Sequence, residues 1–99
     1  MEFLKNFNFS DDDIKDIIDA NSKGIINNIS LNKNNIIELV EYFLEIGVNS
    51  ETIKKMFIYQ IGIFHKSKKE LVTAFDEYEM DSIIKSLNYD VNTFDMIEF

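Results

Sequence analysis

Apolar residues return at helical intervals along most of the chain. Ile14, Ile17 and Ile18 form one set, and Ile36, Leu39, Val40 and Phe43 a second. Ile53, Met56, Phe57, Ile61 and Phe64 form a third; Leu71, Val72, Phe75 and Tyr78, then Met80, Ile83, Ile84 and Leu87, complete the pattern. Steps of three and four put each set on one face of a helix, and the strict alternation of a half-buried strand is missing. The pattern predicts an all-α chain of about five to six helices, either a small helical bundle or a short right-handed helical-repeat array. Residues 50–64 are apolar on further sides through Ile58, Tyr59 and Ile63, so the sequence predicts one central helix there.

Polar punctuation marks the helix ends. Ser10, with Asp13 three residues on, has the form of a capping box, and Asp11, Asp12 and Asp13 occupy the first turn, where the helix dipole favours negative charge. Asn21 to Gly24 interrupts the pattern, leaving Ile25, Ile26, Ile29 and Leu31 as a short helix or irregular turn. Gly47 stands where a left-handed helix end is needed, and Ser67 can cap the following helix. A further break is expected near Asp81 and Ser82.

The punctuation repeats. Leu4, Phe7, Asn8, Phe9, Ser10, Ile14 and Ile17 share their spacing with Phe43, Ile46, Gly47, Val48, Asn49, Ile53 and Met56, and again with Ile84, Leu87, Asn88, Tyr89, Asp90, Phe94 and Ile97. Each copy reads as a helix-ending residue, a cap, and an apolar pair stapled across it: Phe9 with Ile14, Val48 with Ile53, Tyr89 with Phe94. The copies lie roughly forty residues apart, within the range of helical repeats. They divide a single domain, residues 1–99, into repeats near 4–42 and 43–83 and a truncated one at 84–99.

The positions Ile46, Gly47, Val48, Ile53, Met56, Phe57, Ile63 and Phe64 resemble the helical repeats of mitochondrial transcription termination factor-like proteins. In that family a helix ends in Leu-Gly, and a capped turn leads to an Ile-x-x-apolar-apolar helix. The proline usual before the last apolar pair is replaced here by Ile61, and by Ser22 in the earlier copy. The resemblance implies nucleic-acid binding through a basic concave face. The same stretch also resembles a DNA-binding helix-turn-helix, with Gly47 in the turn and Lys54 and Lys55 on the recognition helix. That motif usually has a small residue where this chain has Phe43.

Composition narrows the function classes. An apolar content of 45% with 13% aromatic residues is that of a folding chain, and the length is enough for one core. The wealth of Asn, Ile and Lys reads as the composition of an AT-rich coding sequence, with no functional meaning of its own. No cysteine is available for a disulfide, a thiolate metal site or a nucleophile. The lone histidine, His65, has no second histidine to share a metal. Gly24, Gly47 and Gly62 are isolated and make no phosphate loop, and neither Asp11–Asp13 nor Asp76, Glu77, Glu79 and Asp81 has the spacing of a calcium-binding loop. We therefore expect no catalytic residues, no cofactor and no metal. Without a signal peptide or a spanning run, a cytoplasmic chain with no membrane association is expected.

The net charge of −8 is unevenly placed. Residues 52–69 hold Lys54, Lys55, Lys66, Lys68 and Lys69 and no acid; residues 70–99 hold eight acids against Lys85 alone. The leading expectation is a small acidic, non-enzymatic interaction or regulatory module that binds a partner protein or self-associates. Its candidate surface is Phe94, Met96, Ile97 and Phe99 with Asp76, Glu77, Glu79 and Asp81, because a truncated repeat leaves apolar side chains for a partner or for the chain itself to cover. The alternative is nucleic-acid binding through the five lysines, which the negative net charge opposes.

Overall fold

The computed structural model describes residues 1–99. Six α-helices follow one another: α1 (Asp11–Ala20), α2 (Lys23–Leu31), α3 (Lys33–Ile46), α4 (Ser50–Tyr59), α5 (Lys68–Phe75) and α6 (Met80–Tyr89). Three 3-10 segments accompany them, at Glu2–Phe7, Ile61–His65 and Val91–Met96. There is no strand, so the chain is all-helical, as its periodicity predicts. Helix α1 packs on α4, α3 on α5 and the middle 3-10 segment, and the C-terminal 3-10 segment against both α4 and α6.

Capping chemistry sets several helix starts. The Ser10 hydroxyl accepts from the Asp13 backbone N–H while the Asp13 carboxylate accepts from Ser10 N–H, closing a capping box; Ser67 and Glu70 do the same for α5. Ser22 caps α2 and Asn49 caps α4. Helix α2 therefore starts right behind the break, with Gly24 inside it, and Leu31 at its end is exposed.

Asn8 and Gly47 are the only residues in the left-handed region, with φ of 67° and 106°. A methyl group on Gly47 would also meet Ile84 Cγ2 at 3.4 Å. The third corner is built differently. Asn88 lies inside α6, which runs on to Tyr89, and Asp90 caps the C-terminal 3-10 segment by accepting from Asn92 N–H. Tyr89 is 92% exposed, so it makes no staple with the buried Phe94. Asn88 reaches instead to the second corner: its amide donates to the Gly47 carbonyl at 3.0 Å and its carbonyl accepts from Asn49 N–H at 2.9 Å.

The expected helix over residues 50–64 is broken. Helix α4 stops at Tyr59, Gln60 turns out of helical geometry, and residues 61–65 continue as 3-10. The cause is aromatic packing. The Phe57 and Phe64 rings are stacked with centroids 4.0 Å apart, whereas seven residues of straight α-helix rise about 10 Å. The carbonyls near this fold-back are captured by asparagines from elsewhere in the chain. Asn21 donates to Phe57 O at 3.0 Å, and Asn35 donates to Phe64 O and Lys66 O at 3.2 and 2.9 Å. The break expected at Asp81 and Ser82 falls earlier, across the turn after Phe75. Glu79 caps α6 by accepting from Asp81 and Ser82 N–H, so these acids make a turn and a helix start.

The core is a chain of touching rings. Phe9 meets Phe57 edge-on, Phe57 stacks on Phe64, Phe64 meets Phe43, Phe43 meets Phe94, and Phe94 leads through Phe75 to Tyr42. All seven are buried. Each such pair adds about 0.5–1.5 kcal/mol beyond area burial. Ile18, Val72 and Tyr78, apolar by pattern, are partly exposed on the rim.

Replacing Asn88 by Ala removes both hydrogen bonds to the Gly47 corner and is expected to cost about 1–2 kcal/mol in urea denaturation without changing the slope. Asn88→Asp should fare no better, because a carboxylate has no donor for Gly47 O. Equal stability of N88A and the parent would show that these two bonds do not hold the corner.

Candidate protein-docking face

The C-terminal apolar residues, expected to act together, separate into two pairs. Phe94 is 3% exposed and Ile97 6%, both inside the core, while Met96 is 79% exposed and Phe99 47%. The C-terminal 3-10 segment lets this happen. Val91 and Phe94 turn inward from it while Met96 turns out. Gln60, freed by the break after α4, donates from Nε2 to Asn92 Oδ1 at 3.1 Å and to Asp95 Oδ1 at 3.0 Å. Tyr78 donates its hydroxyl to the Met96 carbonyl at 3.5 Å. The tail is thus tied to α4 and to the turn after α5.

Where the tail passes α5 there is an open groove of about 310 Å3, lined by Lys69, Glu70, Thr73, Ala74, Glu77, Glu98 and Phe99. Lys69, Glu70, Thr73 and Ala74 follow the spacing of one α5 face, with Glu77 just beyond the helix end. Phe99 supplies the aromatic wall, and the Lys66 ammonium sits 4.6 Å from its ring centroid, a cation–π contact that holds the ring in place. Tyr78 continues the surface beside Glu77, Glu98 and Phe99. His65 is not part of this lining.

The four expected acids also separate. Glu77 enters the groove. Glu79 and Asp81 sit at the start of α6, and hydrogen bonds from Ser82, foremost with its hydroxyl, hold the Glu79 carboxyl below its ordinary pKa. Asp76 ends α5 and faces Tyr42. Burial raises the Tyr42 pKa, with smaller contributions from Asp76 and Glu45. Glu98, which the sequence pattern did not single out, joins Glu77, and neither forms an ion pair.

The five lysines are held in differing surroundings. Lys54 bridges Asp13 at 3.0 Å and Glu51 at 3.2 Å, and lies above the Phe9 ring. Its pKa is raised by the Asp13 hydrogen bond first and the Glu51 one next. Lys55 borders a different groove, between α4 and the end of α6, where Tyr59, Tyr89 and Asp90 are its neighbours. Lys66 covers Phe99, Lys68 covers Tyr42, and Lys69 shares its groove with three carboxylates. On α4, the helix read as a recognition helix, Thr52, Ile53, Met56 and Phe57 are buried.

No group of three or more His, Asp or Glu side chains is placed to hold a metal. No helix is long and apolar enough to cross a membrane. Comparison with protein-family models, with curated proteins and with solved structures finds no match to the chain.

Two stability measurements follow. Phe94→Ala is expected to cost about 3–5 kcal/mol in thermal unfolding, and Met96→Ser to stay within about 0.5 kcal/mol of the parent. Similar losses from both would mean that Met96 also belongs to the core. The Asp13 carboxyl is held below its ordinary pKa by the Ser10 backbone N–H first and by Lys54 next. Its contribution is therefore complete above the unfolded-state value and disappears as the pH falls through the lower folded value. The gap in urea midpoint between the parent and Asp13→Asn should be constant near neutrality and close below about pH 4; a pH-independent gap would contradict the pairing.

Proposed function

We propose that the chain is a non-enzymatic helical interaction module, and that it takes a partner protein on the face formed by α5 and the C-terminal tail. One observation carries this reading. Met96 and Phe99 stay exposed on a tail whose other apolar side chains are packed inside, Tyr78 from the turn after α5 stays partly exposed beside them, and Phe99 walls a groove of about 310 Å3. Surfaces of this kind, apolar at the centre with charges around them, are the usual setting for protein recognition. The tail is fixed through Gln60, Tyr78 and Lys66. A fixed tail lowers the ordering cost of binding. The lysine settings give less support to nucleic acid, because Lys54 is neutralised by two carboxylates and Lys69 has acids around it.

The test is an unbiased peptide selection on the folded protein, with affinities then measured against a Met96→Ser/Phe99→Ser variant. Both side chains are exposed, so the variant should fold. Selected peptides are expected to lose roughly tenfold or more in affinity for it. Failure to enrich any peptide, or equal affinity for parent and variant, would overturn the face as the docking site. Sedimentation of the free protein over a range of concentrations decides the self-associating version. A dimer abolished by the same two substitutions would make the partner a second copy.

A further inference from the structure

We infer that the ligand of this face is a basic amphipathic helix of another protein. It would lay an apolar side chain against Phe99 and Ala74 and set lysine or arginine side chains on Glu77 and Glu98. The inference rests on the docking reading above and adds the chemistry of the partner. Phe99 and Ala74 are the apolar part of the groove lining; Glu70, Glu77 and Glu98 outnumber Lys69 in the charged part, with Lys66 over the Phe99 ring. Glu70 already accepts from Ser67 N–H and its hydroxyl in the α5 capping box. Glu77 and Glu98 form no ion pair within the chain. Two carboxylates free to meet cations, beside an aromatic wall, fit a charged apolar helix.

Charge disfavours the alternatives. In a two-fold contact between copies the same patch meets itself, so a surface carrying Glu70, Glu77 and Glu98 would face its like with only Lys66 and Lys69 to offset them. A polyphosphate backbone or an anionic lipid surface would meet the same carboxylates and be repelled. Residues 70–99 extend this field, with eight acids and one lysine.

The test uses three synthetic helical peptides of about 18 residues, long enough to hold a helix in water. All carry leucines at helical spacing on one face; the flanks are lysine, glutamine or glutamate. Binding is followed by amide shifts of the labelled protein and by fluorescence anisotropy. At low salt the lysine peptide should move the amides of Thr73, Ala74 and Phe99, and bind about tenfold tighter than the glutamine peptide. Glu77→Gln/Glu98→Gln should reduce that ratio to about threefold or less, as should raised salt. Equal binding of the lysine and glutamine peptides at these amides would overturn the basic partner while leaving the docking face standing. So would a lysine preference that survives E77Q/E98Q. No shift with any of the three peptides would overturn the amphipathic helix, and the peptide selection above then decides separately whether the face docks anything.

Discussion

The stacking of Phe57 on Phe64 sets much of the arrangement around it. Rings seven residues apart cannot touch on one straight helix, so the chain leaves α4 at Gln60 and doubles back as a 3-10 segment. That turn directs Phe64 toward Phe43, and Phe43 toward Phe94. It also frees the Gln60 amide to hold Asn92 and Asp95. The placement of the C-terminal tail, and so of the groove beside it, follows from one pair of rings. A domain of this size has little core to spare, and a connected aromatic chain from Phe9 to Tyr42 makes that core cooperative.

Asparagine does the complementary work on the backbone. A helix that stops early leaves carbonyls without partners, which is costly in a partly buried setting. Here Asn21 and Asn35 supply amide donors to the carbonyls of Phe57, Phe64 and Lys66, and Asn88 supplies both a donor and an acceptor to the Gly47 corner. These bonds join residues about thirty to forty positions apart, so they fasten one helix pair to the next as well as ending a helix. An asparagine-rich composition that reads as coding bias thus carries part of the tertiary structure.

Local signals were legible in the sequence, and long-range ones were not. Ser10 with Asp13, the cap at Ser67, the left-handed Asn8 and Gly47, and the inward faces of α3 and α4 all follow from neighbours a few residues away. The break at Gln60 was hidden because the apolar spacing continues through it; its cause is a ring contact and asparagines from α3 and the end of α1. Asn88 shares its repeat position with Asn8 and Gly47 but not their conformation: α6 continues past it to Tyr89, and its side chain bonds the Gly47 corner. In the candidate site, Phe99, Met96 and Glu77 could be picked from pattern and charge. The burial of Phe94 and Ile97 could not, since the alternation comes from 3-10 geometry. Glu98 is adjacent to Phe99 in sequence, but its pairing with Glu77 depends on where the tail lies.

The aromatic chain also makes the protein unusually easy to watch. It has no tryptophan and four tyrosines, of which only Tyr42 is buried. Tyr42 lies against Phe43 and Phe75, at the join between α3 and α5 and at the far end of the ring chain from Phe9. Tyr59 and Tyr89 face solvent, where a ring tumbles too freely to give a strong near-ultraviolet dichroic band, whereas Tyr78 is partly exposed and bonded to the Met96 carbonyl. The tyrosine part of that spectral region therefore reports chiefly on two phenols, Tyr42 on α3 and Tyr78 just after α5. The molecule carries its own optical gauge of whether the helix lining the groove is packed on one side and tied to the tail on the other.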